Sequence, residues 1–232
     1  ASTLYGSEAI GGVINLITKL PENAYNFSIE AFTSSWGELN VDLGTKYNLK
    51  NSQGLIGINY FNYSNPIDNN GDGFTDLTLQ HRVSIFNKIN TKSNTLAFRY
   101  FYEDRWGGQM NWNSSFRGGN EVYGESIYTS RFEVFGKYDI SKDIFLQYSL
   151  NNHDQNSVYG VTSYKALQTI GFVQAVYSKK ILNHDLLFGA TYRHTIYDDN
   201  TPATLQKEKT ALPGLFFQDQ LSLSKFKTLL YG

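Results

Sequence analysis

The segment LAFRYFYE, residues 96–103, alternates apolar and polar side chains in the pattern that decides the fold of this chain. The apolar members are Leu96, Phe98, Tyr100 and Tyr102, and the intervening set includes Ala97, Arg99 and Glu103. Successive side chains of a β-strand point to opposite faces, so a period of two predicts a strand with one apolar and one polar face. A helix would instead repeat its apolar residues every three or four positions.

The same alternation recurs along the chain and predicts a ladder of strands. We expect them at about residues 26–34, 39–48, 54–64, 78–89, 95–104, 127–139, 143–154, 164–179, 185–197, 215–223 and from 227 onward. Most of these segments are longer than the five or six residues typical of soluble proteins. Their length suits tilted strands that cross a membrane, which need about nine to eleven residues.

The connections between the predicted strands also alternate in length. They are short after the second, fourth, sixth, eighth and tenth strands and long after the third, fifth, seventh and ninth, with the short first one, SSWGE, as the exception. Short turns on one rim and long loops on the other are typical of outer-membrane barrels. Tyrosines near both ends predict two interfacial girdles: Tyr47, Tyr138 and Tyr177 at the short turns, and Tyr63, Tyr102, Tyr128 and Tyr197 at the long loops. Asp219 disagrees, because it shares the alternate set of Phe217 and Leu221, so we expect either a bulge or a neutralising neighbour there.

Composition excludes several classes of protein. The 232 residues include 17 Tyr and 16 Phe, which favours strands, and 20 Lys and Arg against 21 Asp and Glu, which leaves no basic footprint for nucleic acid. The absence of cysteine excludes disulfides and thiolate chemistry. No apolar run reaches the length of a transmembrane helix. We also find no nucleophile elbow or phosphate loop, and we expect no enzymatic activity.

The opening sequence LYGSEAIGGVINLITK, residues 4–19, resembles the closing segment of the plug domain in TonB-dependent outer-membrane receptors. Local pattern predicts only a turn-rich approach and a strand at VINLIT, residues 13–18. The resemblance implies that residues 1–22 end a plug and that residues 23–232 form the first half of a transmembrane β-barrel, about eleven of 22 strands. It implies a Gram-negative outer membrane, contact with lipid and with the TonB complex through a segment outside this sequence, and an accessory lipoprotein at the cell surface.

The resemblance also implies active uptake of a bulky nutrient that binds at external loops. We favour a cobalamin-like corrinoid over a ferric siderophore, with haem third. A passive porin-like channel and a soluble β-sandwich module for carbohydrate are the alternatives, since alternating strands also build sandwiches with one buried face.

The segment NPIDNNGDGFTDLT, residues 65–78, has the ligand spacing of a calcium loop. Asp68, Asn70, Asp72 and Asp76 occupy its first, third, fifth and ninth positions, and Gly73 occupies the sixth. Leu79 stands where an EF-hand has its bidentate Glu. We predict a structural calcium ion in this external loop, with a polar hairpin tip as the alternative.

The longest predicted loop, residues 104–126, carries aromatic side chains between glycines. Trp106, Met110, Trp112, Phe116 and Arg117 are our candidates for contact with a bulky metal-chelate or corrinoid ligand. The alternative is that these aromatic side chains pack on one another and hold the loop closed. Inward-facing Glu30, Glu103 and Glu133 lie among basic residues, which a polar lumen explains without catalysis.

Overall fold

The computed structural model describes residues 17–224 and 227–231, which form one antiparallel sheet. Its strands are β1 (Phe27–Thr33), β2 (Leu39–Leu49), β3 (Ser52–Tyr63), β4 (Leu79–Asn90), β5 (Asn94–Gly108), β6 (Gly124–Asp139), β7 (Ile144–Tyr159), β8 (Thr162–Ile181), β9 (His184–Asp199), β10 (Glu208–Ser224) and β11 (Lys227–Tyr231). Two short 3₁₀-helices, η1 (Pro21–Asn23) and η2 (Ser114–Phe116), are the helical elements of the described part. The all-β prediction is confirmed, with eleven strands.

Each strand pairs with its neighbours in the sequence, in the order β1 to β11. Among the described residues the sheet is open, because β1 pairs only with β2 and β11 only with β10. A sheet of this size whose strands run to 15 or more residues, from β5 to β10, is consistent with part of a barrel.

The strand register gives the sheet two chemically distinct faces, because paired residues point to the same side. The face that we call the apolar face carries Leu43, Ile58, Ile85, Tyr100, Phe132, Leu150, Val173 and Phe188. The opposite one, the polar face, carries Asp42, Asn59, Arg82, Arg99, Glu133, Asn151 and Gln174.

The apolar face is open to its surroundings. Phe132 is 44% exposed, Phe188 51% and Leu215 78%, although soluble proteins bury such side chains. The described strands lie in one sheet, and no second sheet of described residues covers these side chains. The soluble β-sandwich alternative is therefore wrong for this part of the chain, since a sandwich buries one face of each sheet.

The described connections confirm the predicted asymmetry of the two rims except at one place, whereas the short connection predicted after the tenth strand includes residues 225–226, which lie outside the described residues. Short turns at residues 50–51, 91–93, 140–143 and 182–183 form one rim, and loops at residues 64–78, 109–123 and 200–207 lie at the other. The predicted long connection after the seventh strand is wrong. β7 and β8 instead continue to a turn at residues 160–161, where Gly160 has a φ of 59°.

The start of β10 also differs from the prediction, since this strand begins at Glu208 rather than residue 215. Proline lacks the N–H that a strand interior donates, so Pro213 is an unfavourable residue for the middle of a sheet. In the structure Pro213 nevertheless lies opposite Tyr192 within the β9–β10 ladder.

Five of the seven tyrosines assigned to the girdles lie on the apolar face by register: Tyr47, Tyr102, Tyr128, Tyr138 and Tyr177. Tyr63 and Tyr197 are opposite Gln80 and Gln168 on the polar face, so their assignment to a girdle is wrong. The error has a simple cause, because position near a strand end was used without the parity that decides which face a residue takes.

Asp219 places a carboxylate on the apolar face, and a neighbouring histidine pairs with it. The His184 Nδ1 atom lies 2.7 Å from Asp219 Oδ2, and both side chains project from the apolar face. A register shift also occurs further along β10, between Ser222 and Ser224.

The segment that leads into β1 is only partly described. The plug assignment for residues 1–16, and most of the predicted strand at residues 13–18, lie outside the described residues. Ile17 and Thr18 belong to no strand, so for them that prediction is wrong. The chain then forms η1, in which Pro21 is buried.

No helix in the described ranges has the length and apolar character needed to span a membrane.

Candidate functional site

The loop at residues 64–78 is built around the carboxylate of Asp68. Its Oδ1 accepts hydrogen bonds from the backbone N–H groups of Gly71 at 2.7 Å and Asp72 at 3.2 Å, and its Oδ2 accepts one from Gly73 at 2.9 Å. Gly71 and Gly73 have φ values of 73° and 82°, a region that glycine enters without the steric cost of a Cβ. The sequence DNNGDG therefore folds as a tight turn that Asp68 holds from within.

The other predicted calcium ligands lie in the same turn. Asn70 Oδ1 accepts from the N–H of Asp72 at 3.0 Å, and Asp72 Oδ1 accepts from the N–H of Phe74 at 2.8 Å. Asp76 Oδ2 accepts from both the backbone and the side-chain amide of Asn69, at 2.8 and 2.9 Å. A carboxylate offers about four lone-pair sites, so these bonds leave acceptor capacity for a cation.

Within residues 17–224 and 227–231, no cluster of three or more His, Asp or Glu side chains is arranged to hold a metal ion. Hydrogen bonds within the protein already hold the turn, and its carboxylate and amide oxygens are hard ligands of the kind that calcium prefers. Calcium binding here stays a prediction.

The loops at residues 64–78 and 109–123 are joined through their backbones. Thr75 N donates to Gly108 O at 2.8 Å, and Met110 N donates to Gly73 O at 2.9 Å. Between these bonds Phe74 and Gln109 form an isolated antiparallel bridge. The predicted calcium turn and the predicted ligand loop therefore form one unit, which we call the two-loop ledge (residues 64–78 and 109–123).

Trp106, Met110 and Trp112 meet at the ledge around a cavity of about 20 Å³. Pro66 and Thr75 of the first loop complete its lining. Because a single water molecule occupies about 30 Å³ in the liquid, this space holds no bulky ligand as it stands. Trp106 and Trp112 are half-buried, whereas Met110 is 37% exposed.

Two glycines fix how closely the ledge packs. A Cβ on Gly124 would lie 2.3 Å from the Trp112 ring, so this indole rests on a surface that only glycine provides. Gly108 has a φ of 148°, and a Cβ there would lie 2.5 Å from the backbone of Tyr123 and Gly124. Trp112 is therefore held against the start of β6.

Phe116 and Arg117 lie apart from this cavity. Arg117 Nε donates to Ser126 Oγ at 3.1 Å, its Nη2 donates to Asn156 O and Oδ1 at 3.0 Å, and its guanidinium lies 4.5 Å from the ring centre of Tyr128. These contacts secure the loop to β6 and β7 on the side of the apolar face. Phe116 ends η2 and is half-buried.

Tyr123 is the last residue of the second loop of the two-loop ledge and lies near Phe74 of the first loop. Its ring lies 6.3 Å from that of Phe74, and its hydroxyl donates to Glu125 Oε1 at 2.8 Å. This hydrogen bond to a carboxylate raises the pKa of Tyr123, because ionisation would place two negative charges together.

The polar face carries the mixed charges that the sequence predicted. Glu133 forms an ion pair with Arg99, accepts from Asn151 Nδ2 at 2.8 Å and lies 3.8 Å from Arg131 Nη1. Glu103 accepts from Gln80 and lies 3.8 Å from Arg105. Each carboxylate thus lies beside basic and amide groups of its own strand and of neighbouring strands, as expected of a polar wall.

Sequence reasoning missed two polar arrangements of this wall. Tyr197 accepts or donates to Tyr164 at 3.0 Å and donates to Asp199 at 2.7 Å. Thr201 donates to Asp199 through its hydroxyl and its N–H, both at 2.7 Å, and these bonds with that from Tyr197 lower the pKa of Asp199 to about 2. Tyr197, Asp199 and Thr201 are neighbours in the sequence, and the pairing of β8 with β9 brings Tyr164 to them.

The second missed arrangement involves Lys88, a polar-face residue of β4 that contacts Thr18 and Lys19. Nothing in the sequence around residue 88 indicates a contact some 70 positions away. A cavity of about 650 Å³ lies close by, between η1 and the turns at residues 50–51 and 91–93. It is at the opposite rim from the two-loop ledge.

Comparison with known proteins supports the fold. No family model matches the sequence, and no curated protein matches it. The structure is similar to the crystal structure of the siderophore receptor PiuA from Acinetobacter baumannii, with a TM-score of 0.62, 12% identity, and coverage of 97% of this chain and 44% of that one. The chain thus spans less than half of that receptor, and at this identity the likeness shows the fold alone.

Proposed function

We propose that this chain belongs to an outer-membrane receptor that takes up a bulky metal chelate by TonB-dependent transport. The observation that carries the proposal is the exposed apolar face opposite a charged, hydrogen-bonded polar face. In a membrane barrel the first faces lipid and the second faces an enclosed lumen. The fold likeness to a siderophore receptor supports the same conclusion.

The contact between the N-terminal segment and the wall favours a plugged receptor over a passive porin-like channel. Thr18 and Lys19 lie on the polar face, where Lys88 binds them, so the chain enters β1 from the proposed lumen. This is the side on which a plug would lie. The uptake would be driven by the TonB complex of the inner membrane, and a surface lipoprotein would assist capture.

The ligand would bind at the two-loop ledge, where aromatic side chains and hard oxygen donors lie together. A calcium ion held by Asp68, Asn70, Asp72 and Asp76 would restrict the motion of the first loop. Because backbone hydrogen bonds join this loop to residues 108–110, the ion would also restrict the motion of the aromatic loop. The small cavity requires that the ledge open before a ligand enters. We propose a ferric siderophore or a cobalamin-like corrinoid as the ligand.

Uptake assays with the full-length receptor test this function. Cells that depend on it should lose growth on one ferric siderophore or one corrinoid, offered separately, when the gene or the TonB energy supply is removed. Equal growth of all strains on every chelate would contradict the proposal.

Trp112→Ala locates the binding site, with Trp36→Ala as its matched control, since Trp36 lies in the loop at residues 34–38 and is 53% exposed. Loss of an aromatic anchor at an interface costs more than about 1 kcal/mol, so binding should weaken at least fivefold in Trp112→Ala only. Equal binding by both variants would place the ligand elsewhere.

A further inference from the structure

Lys88 is a nearly buried ammonium group on the polar face, with only 7% of its surface exposed. By register it lies beside Leu55 of β3 and Ala97 of β5, neither of which offers a polar side chain. Among the described residues no carboxylate forms an ion pair with it. A buried cation is costly unless hydrogen bonds compensate it.

Among the described residues, the hydrogen bonds of Lys88 go to the segment that precedes η1. Its Nζ lies 3.0 Å from Thr18 Oγ1, 3.4 Å from Thr18 O and 3.4 Å from Lys19 O. An ammonium group has three donors and no acceptor, so two carbonyls and one hydroxyl of this segment match its full capacity.

The same segment is loosely held on its other sides. Thr18 and Lys19 are exposed, and the cavity of about 650 Å³ opens beside Leu20, Pro21 and Glu22. Pro21 is buried in η1, which fixes the segment at its C-terminal end. Between that anchor and residue 17, Lys88 is the side chain of the sheet that binds the segment.

We infer that Lys88 is a latch that holds residues 18–19 against the polar face and that its release frees this segment from the wall. The significance of the latch for transport rests on the proposed function, because the chain leading to a plug would have to leave the wall when the plug moves. The contact itself does not depend on that function. Since Lys88 acts through the segment rather than on a ligand, it is a positioning residue.

A spin label at residue 19 tests the latch, because these 232 residues contain no cysteine and Lys19→Cys adds one attachment point to them. Any cysteine in the rest of the receptor is first changed to serine, and Lys19→Cys keeps the backbone carbonyl that accepts from Lys88. The ratio of mobile to immobile nitroxide at residue 19 would be measured by electron paramagnetic resonance in purified full-length receptor, in this background and after adding Lys88→Met, Lys88→Arg or Lys92→Met. Lys92 is an exposed lysine of the adjacent turn and serves as the matched control.

Hydrogen bonds to a charged group contribute enough to change an opening equilibrium by about tenfold or more. We expect the ratio of mobile to immobile label to rise about tenfold in Lys88→Met, to change little in Lys88→Arg and to match the reference in Lys92→Met. Equal ratios in Lys88→Met and Lys92→Met would overturn the latch.

Thr18→Val provides a second test that leaves Lys88 in place, should Lys88→Met fail to fold as judged by circular dichroism. It removes the nearest acceptor, so the ratio of mobile to immobile label at residue 19 should rise severalfold, and an unchanged ratio would overturn the inference. Failure of the latch and failure of the proposed function are distinguishable. The spin label reports the contact in a receptor of any ligand, whereas uptake on separate chelates reports the function alone.

Discussion

Gly124→Ala is the sharpest test of how the two-loop ledge is built. The added Cβ would lie 2.3 Å from Cδ1 and Nε1 of Trp112 and 2.5 Å from its Cγ. Carbon atoms in favourable contact are about 3.5 to 4.0 Å apart, so the indole must move by more than about 1 Å. Gly124 pairs with Gly108 at the end of the β5–β6 ladder, so the backbone on that side cannot easily give way.

The expected cost follows from overpacking, which destabilises by about 1 to 3 kcal/mol. Because the clash is confined to the ledge, it should appear as displacement of Trp112 rather than as global unfolding. In a background with Trp36 and Trp106 changed to Phe, Trp112 emission should shift to the red and iodide quenching should increase severalfold.

Gly171→Ala is the matched control, since a Cβ there meets no atom within 4 Å. It should leave the emission of Trp112 and its quenching unchanged. If Gly124→Ala also left both unchanged, Trp112 would not lie against β6, and the packing described for the ledge would be refuted.

Three further predictions concern charge. Asp72→Asn, or excess calcium added as a competitor, should abolish terbium luminescence sensitised by the ledge aromatics, whereas Asp139→Asn in β6 should not; no luminescence in the parent chain at millimolar metal would contradict a cation site. The pKa of Asp199 is lowered to about 2 in the folded state, so its carboxylate stabilises the fold above the ordinary pKa of about 4, and this stabilisation is lost as pH falls toward 2. Asp199→Asn should therefore flatten the pH dependence of the unfolding free energy between about pH 4 and about pH 2. An unaltered pH dependence would contradict the hydrogen bonds from Thr201 and Tyr197. His184→Leu should cost about 1 to 3 kcal/mol of unfolding free energy by leaving Asp219 unpaired on the apolar face, whereas adding Asp219→Leu should restore most of it; equal stability of the single variant and the parent would contradict the pairing.

The sequence predicted the sheet well because alternation is a local signal. Leu96, Phe98 and Tyr100 reveal their shared face without knowledge of any partner strand. The candidate site was harder to predict. Aromatic residues between glycines indicated a contact surface, but only the backbone bonds between residues 73–75 and 108–110 show that the two loops form one unit. Such contacts depend on register, which no single segment encodes.

The error at the end of β7, on the long-loop rim, has a physical origin. On β7 the apolar face changes from Tyr148 and Leu150 to Asn152, Asp154 and Asn156, so both faces of the strand become polar above that level. Where a strand extends beyond the proposed membrane band, its two faces are both polar, so the alternation of apolar and polar residues that predicts a strand is lost. Its hydrogen bonds to the neighbouring strands nevertheless continue. β7 and β8 therefore extend into the space where the sequence predicted a loop, and they place a rigid hairpin beside the two-loop ledge. Gly160 N donates to Gly124 O at 3.0 Å, so this hairpin also contacts the glycine that supports Trp112. The wall of the proposed ligand site would thus be made of strands as well as loops, and β7 and β8 would supply its strand side.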